Sequence, residues 1–259
     1  MADGDYERGR DRELAFLRGR LRALAKARAV APSVLVLNGW ASAPQAWDLC
    51  AFRRDRIYSY IEQLDGLPER FLAASASRVV LVGWSMGGST ALRLACRHPD
   101  RVAGLVLLAA TPRMMEDRDA GWRGMNERRL EALRKGLELT HGEGFFGVPE
   151  GKPNPYLADV PENLERGLRY LLETDLRAEL EGVFRSAAPP KPFPVTIFQS
   201  ACDGIVRPQN AAYLQTVFSH AKLVLVPGAE HALPIQIPKE IDDAVDACLA
   251  VAATGPDPR

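Results

Sequence analysis

Cysteine is scarce in this chain, and the four present, Cys50, Cys96, Cys202 and Cys248, stand far apart with no C-x-x-C pair. They read as small apolar core residues of a protein in a reducing compartment, not as a disulfide framework. Long hydrophobic runs are also missing. The longest, Val102 to Ala110, is far too short to span a bilayer, and the charged N-terminus has no apolar signal core, so a cytoplasmic location is expected. No charge of one sign dominates: Lys+Arg number 33 and Asp+Glu 33. That balance gives no global reason to expect nucleic acid or a membrane as partner, and any charged partner must be met by a local patch. No His/Cys/Asp group has metal-ligand spacing, the glycines fit no phosphate or dinucleotide loop, and repeats are absent. Neither a metal nor another cofactor is therefore expected. At 259 residues and 47% hydrophobic composition, the chain suits one α/β domain with an insertion, and a monomer is expected.

What is present is concentrated in Val79 to Leu94, VVLVGWSMGGSTALRL. A short β-branched run passes through Gly83-Trp84-Ser85-Met86-Gly87 into a helical pattern. This is the G-x-S-x-G nucleophile elbow, in which serine sits on a strained strand-to-helix turn above the sheet. Gly83 and Gly87 fall where a side chain would collide with the turn or the neighbouring strand, and Gly88 lets the helix approach closely. The helix N-terminus at Ser85 favours a developing negative charge.

Around this stretch, residues 5–28 have leucines at helical spacing (Leu14, Leu17, Leu21, Leu24) among arginines and predict an N-terminal helix. Val34 to Leu37 reads as a strand buried on both faces. Its following loop, Asn38-Gly39-Trp40, can supply a backbone N–H to an acyl oxyanion, so Trp40 and Met86, the residue after the serine, are the candidate donors. A helix is predicted around Pro44 to Cys50 with Trp47 in the core, then a weak strand at Arg56 to Tyr60 and a helix near Leu67 to Ala74. Val102 to Leu108 is a further strand. From Pro112 to about Pro190 the strand signal disappears; helices at Asn126 to Leu139 and Pro161 to Leu172 read as an inserted cap. The division is thus 1–111 with 191–259 as core, 1–30 being the N-terminal helix, and 112–190 as cap. A cap covers an active site, so Trp122, Phe145, Phe146 and Tyr156, with Trp40, are candidates for an apolar acyl pocket. Arg123, Arg128, Arg129, Arg134 and Lys135 cluster on one cap helix, as a solvated face or as a patch for an acidic partner.

Strands return at Val195 to Phe198 and Leu223 to Val226, and a final helix spans Pro238 to Ala250. Each strand leads into a group that the serine needs. A serine hydroxyl is a weak nucleophile until a base takes its proton, and His231 is the candidate base. Asp203 is the candidate carboxylate to hold the imidazole, with Glu116 or Asp117 ranked behind it. Alone, Asp203-Gly204 is a turn and His231 a loop histidine. Together Ser85, Asp203 and His231 follow predicted strands in the chain order Ser, Asp, His, at one edge of a parallel sheet. His98, beside Pro99, reads as a surface or capping residue, and His141 and His220 lack that strand context.

These residues carry a family resemblance. Leu37-Asn38-Gly39-Trp40, Gly83-Trp84-Ser85-Met86-Gly87-Gly88, His98-Pro99-Asp100-Arg101-Val102, Thr174-Asp175-Leu176-Arg177, Asp203-Gly204-Ile205-Val206 and Ala229-Glu230-His231-Ala232 resemble the α/β-hydrolases, and among them the pimeloyl-acyl-carrier-protein methyl ester esterases of biotin synthesis. The resemblance runs from about residue 33 to residue 250. It implies a mostly parallel central sheet flanked by helices with an inserted helical cap, catalytic Ser85, Asp203 and His231, and oxyanion donors at Trp40 and Met86. It further implies an acyl ester substrate on acyl carrier protein, received by cap arginines such as Arg128, Arg129 and Arg134. Asn38 departs from the histidine usual in the family, and an N-terminal helix stands where a pair of strands normally opens the fold. Two other functions stay open: another small-molecule ester or lactone hydrolase, told apart by independence of the carrier, and a non-catalytic binding protein, told apart by an unreactive Ser85.

Overall fold

The computed structural model describes residues 32–75, 77–140, 148, 151–152, 154–156 and 159–254. The predicted helix at 5–28, Phe145, Phe146 and His141 lie outside them. The chain enters the sheet at β1 (Ser33–Leu37), makes a single 3₁₀ turn at Pro44–Trp47 and forms β2 (Arg56–Tyr58). Helices α1 (Tyr60–Leu64) and α2 (Leu67–Ala74) precede β3 (Val79–Trp84), and α3 (Met86–Arg97) follows it. After β4 (Val102–Leu108) come α4 (Glu127–Thr140), α5 (Pro161–Glu173) and α6 (Arg177–Phe184). Then follow β5 (Val195–Ser200), α7 (Pro208–Val217), β6 (Lys222–Val226), α8 (Leu233–Gln236) and α9 (Pro238–Thr254).

The strands make one six-stranded sheet in the order β2-β1-β3-β4-β5-β6, with every pairing parallel. Alternation along the strands divides the core. Val34, Val36, Val80, Val82 and Val106 face one side with Trp47, Ile241 and Val245, while Leu35, Leu37, Leu81, Leu105 and Leu107 face the other with Leu92 and Leu214. These strand residues are 0% exposed, as expected of central parallel strands covered on both faces. Each such side chain contributes about 1.5–3 kcal/mol on burial.

Strand order sets the site. From β1 the chain goes outward to β2 and then returns to the opposite side of β1 for β3. The loops leaving β1 and β3 therefore diverge at a switch point beyond their carboxyl ends, where parallel sheets open a crevice. Leu37 and Gly83 are register partners at those ends, so Gly39-Trp40 and Ser85 emerge side by side.

Some elements differ from their sequence-based expectation for local reasons. The helix expected from Pro44 to Cys50 is only a 3₁₀ turn, its N–H groups reaching back three residues (Asp48 to Gln45, Cys50 to Trp47). The strand expected to reach Tyr60 stops at Tyr58 because Ser59 and Glu62 form a reciprocal capping box that starts α1. Helices α6 and α7 were not expected; α7 is opened by Pro208, whose fixed φ and missing N–H suit a first helical position. Cys50, Cys96 and Cys248 are buried but Cys202 is exposed, a correction to its assignment to the core: it lies in the loop after β5 rather than on a strand. No helix among the described residues is long and apolar enough to cross a membrane.

Candidate active site

Ser85 sits between the last residue of β3 and the first of α3 with φ +55° and ψ −118°, a conformation that costs a non-glycine residue of order 1–3 kcal/mol. The surroundings impose it. Ser85 N–H donates to Leu108 O at 2.9 Å, tying the elbow to the end of β4. A Cβ on Gly87 would lie 2.0 Å from Leu37 O, and one on Gly83 2.5 Å from Gly87 O. Helix α3 approaches strand β1 only because Gly87 lacks a side chain, and the elbow closes on β3 only because Gly83 does.

Three loops bring the polar groups together. His231 Nε2 is 2.9 Å from Ser85 Oγ, and His231 Nδ1 is 2.9 Å from Asp203 Oδ2. A carboxylate can only accept, so Nδ1 carries the proton toward Asp203 and Nε2 is left to accept from the serine hydroxyl. The other carboxylate oxygen, Oδ1, accepts from the N–H groups of Ile205 at 2.8 Å and Val206 at 3.0 Å. Burial pushes the Asp203 carboxyl up, but electrostatic attraction to the His231 ring, its hydrogen bond and those two N–H groups outweigh it and hold it below the usual range. The carboxylate therefore stays ionised beside the imidazole. Trp84 Nε1–H donates to His231 O at 2.9 Å, so the residue just before the serine also fixes the histidine loop. All three polar residues are buried, Ser85 being 7% exposed.

Helix α3 leaves its first N–H groups without intrahelical acceptors, and Met86 is the first of them. Trp40 lines the same cleft as Ser85. Among the described residues, neither the Trp40 nor the Met86 N–H donates to a protein acceptor.

A cleft opens over Ser85. Its walls are Gly39, Trp40, Trp84 and Ile205 from the sheet side, and Met114, Leu130, Leu133, Leu137, Tyr156 and Leu171 from the region between β4 and β5. Burial first, and the Asp203 charge second, push the Tyr156 phenol well above its ordinary value, so it faces the cleft neutral.

Not every expected residue gathers here. Trp122 is not among the described residues lining the cleft: its Nε1–H donates to Arg113 O at 3.1 Å, its ring lies edge-on to Tyr213, and Arg177 stacks over it at 5.3 Å. That position corrects its assignment to an acyl pocket, because the chain around it folds back on itself through Asp117 and Trp122 instead of reaching over Ser85. Asp117, one of the alternative acids, is paired with Arg177 at 2.7 Å, and Glu116 with Arg118 at 3.2 Å. On α4, Arg134 is engaged by Glu131 at 2.7 Å and Glu138 at 2.8 Å, which leaves it little free charge for a partner. Arg129 donates to Gly204 O at 2.8 Å, on the loop of Asp203, while Arg128 is exposed. His98 caps the end of α3 and meets Glu69 at 3.2 Å; His220 Nε2 contacts Phe193 O at 2.9 Å. The leucines of α4 were missed as cleft residues although Leu130, Leu133 and Leu137 recur at helical spacing. Among the described residues no three His, Cys, Asp or Glu side chains gather as metal ligands.

The sheet, the elbow and the hydrogen-bonded Ser-His-Asp set are those of a hydrolase fold. The sequence model of a family described as alpha/beta hydrolase fold matches residues 38–237, and the chain belongs to that family. More particularly, the chain is similar to the pimeloyl-[acyl-carrier protein] methyl ester esterase of Nitrosomonas europaea, 27% identical over 83% of this chain and 95% of that one. It is likewise similar to the enzyme of the same name from Nitrosospira multiformis, 27% identical over 77% of this chain and 88% of that one. Among solved structures, an esterase from Exiguobacterium antarcticum superposes with a TM-score of 0.65 over 85% of this chain and 92% of that one, at 16% identity.

Proposed function

We propose that this protein is a serine carboxylesterase that removes the methyl group from pimeloyl-acyl-carrier-protein methyl ester in biotin biosynthesis. The observation that carries the reaction class is the unbroken chain from Ser85 Oγ through both nitrogens of His231 to Asp203, at 2.9 Å per link. Similarity to two methyl ester esterases along most of the chain supports the substrate.

In the proposed mechanism His231 Nε2 takes the Ser85 proton as Oγ attacks the ester carbonyl, and the carbonyl electron pair moves onto oxygen. The Trp40 and Met86 N–H groups donate to that oxyanion. Collapse breaks the bond to methoxide, which His231 protonates as it leaves as methanol. Water then attacks the acyl-serine with His231 again as base, and the free acid departs as Ser85 recovers its proton. Asp203 fixes the imidazole tautomer and stabilises the imidazolium in both halves. Residues 112–190 act as the cap, whose leucines and Tyr156 hold the apolar part of the acyl chain.

The test is hydrolysis of the pimeloyl methyl ester on acyl carrier protein, followed by mass spectrometry, with the same ester free of carrier as control. Much faster cleavage of the carrier-bound ester is expected. Cleavage of generic short esters with the carrier-bound ester untouched overturns the substrate assignment and favours a small-molecule ester or lactone hydrolase.

A further inference from the structure

We infer that the inserted helix α5 sets the oxyanion hole, with Gly167 as a positioning residue acting through the indole of Trp40. The inference rests on the proposed role of the Trp40 N–H and adds the group that holds it in place.

The loop carrying that N–H is fixed from below by the core. Asn38 Oδ1 accepts from Trp47 Nε1–H at 2.7 Å, and Asn38 O accepts from Gln63 Nε2 at 2.9 Å. Beyond Asn38 the loop turns sharply. Ser42 Oγ donates to Gly39 O at 2.7 Å, and Ala41 has φ +56°, a left-handed conformation unfavourable for a residue with a Cβ. A strained turn of this kind persists only if its neighbours hold it.

The upper neighbours come from the insertion. Trp40 Nε1–H donates to Leu164 O on α5 at 3.2 Å. Ala43 N–H donates to Pro155 O at 3.0 Å, and Ser42 and Tyr156 form an antiparallel bridge. The insertion is itself anchored to the core beside this point, by a hydrogen bond between Tyr60 Oη and the Asp159 carboxylate and by Arg166 with Asp65 at 2.6 Å.

Gly167 is where the fit is closest. A Cβ there would lie 2.4 Å from Trp40 Cδ1 and 2.5 Å from Nε1, about 1 Å inside ordinary contact. An α-helix gives up stability to carry glycine in its interior, roughly 0.5–1 kcal/mol relative to alanine. Here its absent side chain is the space the indole occupies. Alanine at 167 must push the indole, and with it the backbone of residue 40, within the cleft that Trp40 and Ser85 line together. Errors of this size in a donor's position are costly, since losing one oxyanion donor lowers kcat about 10²–10³-fold.

The experiment compares wild type, Gly167→Ala, Trp40→Ala and the double variant on p-nitrophenyl butyrate, with thermal melts and Gly182→Ala as control. A Cβ at Gly182 meets nothing within 4 Å. Both acylation and deacylation pass through an oxyanion, so Gly167→Ala should lower kcat roughly 10–100-fold while KM moves less than about threefold. Gly182→Ala should match wild type. Once the indole is removed by Trp40→Ala, adding Gly167→Ala should change kcat less than about twofold. An unchanged kcat in Gly167→Ala, or the same fold-loss in both backgrounds, overturns the inference. Should Gly167→Ala fail to fold, Trp40→Phe, which keeps the backbone N–H but loses the bond to Leu164 O, takes its place. A fall in kcat of about fivefold at constant KM then supports the inference, and wild-type kcat overturns it. Ser85→Ala in the same assay separates the two levels. If it is inactive while Gly167→Ala keeps full kcat, only the positioning role falls; if it stays active, the nucleophile assignment falls and takes this inference with it.

Discussion

Ser85 shows how a single residue's conformation is fixed by its neighbours. Its φ of +55° is held by the bond to Leu108 O and by two glycines whose Cβ positions are filled by backbone. Asp203 acts in the same indirect way, since its ionised carboxylate requires His231 to keep its proton on Nδ1. Asp203→Asn can present its amide N–H to that nitrogen and select the wrong tautomer. The expected result is a kcat roughly 10³–10⁴-fold lower with KM little altered, measured by steady-state kinetics on a soluble ester. That Ser85, Asp203 and His231 meet was legible in the sequence because each follows a strand, and strand ends of a parallel sheet meet at one edge. Trp122 was misread because residue type reports hydrophobicity but not direction. Its neighbours Arg113 and Arg177 set that direction, and their pairing is long-range.

Helix α4 carries an arginine cluster in its sequence, but it is its leucines that face the cleft. Leu130, Leu133 and Leu137 form one face over the cleft, while Arg134 spends its charge on Glu131 and Glu138. Leu133→Ala should raise KM about tenfold for an apolar acyl ester and leave kcat for acetyl esters near wild type, because removing methylene-sized contacts costs about 1–3 kcal/mol of acyl binding. The start of α6 is held differently. Burial raises the Asp175 carboxyl, but hydrogen bonds from Arg177 and Arg113 prevail and bring it down to about 2. A carboxyl held below its unfolded value near 3.9 contributes stability that is present above that pH and is lost as pH falls through the folded value. Thermal melts between about pH 5 and 2 should show wild type losing Tm more steeply than Asp175→Asn; parallel curves would show that Asp175 adds no pH-dependent stability.

Taken as one body, residues 32–254 owe their site to strand order. The buried runs Val34–Leu37, Val79–Val82 and Val102–Leu108 were legible as strands because parallel strands covered on both faces are apolar throughout. β6, at the edge, alternates less cleanly, with Leu225 56% exposed. What the sequence did not reveal is how the region between β4 and β5 returns to the sheet: the contacts of Leu164 and Gly167 with Trp40 span more than 120 positions of chain, beyond any local pattern. Net charge offers no steering, with 33 basic and 33 acidic residues, so the proposed docking of an acidic carrier calls for local arginines such as the exposed Arg128. Raising NaCl from about 0.05 to 0.5 M shortens the Debye length to a few ångströms. It should raise KM severalfold for the carrier-bound ester and leave the free ester unaffected; equal effects on both would exclude electrostatic docking.

Everything proposed for this site requires Ser85 to be its activated nucleophile. Intact-mass and peptide-mass analysis after treatment with a fluorophosphonate tests it most directly, with esterase activity followed in the same tube. The expected result is one phosphonyl group per chain, mapped to the peptide bearing Ser85, with activity lost in step. No adduct, or an adduct elsewhere while hydrolysis continues, would contradict it.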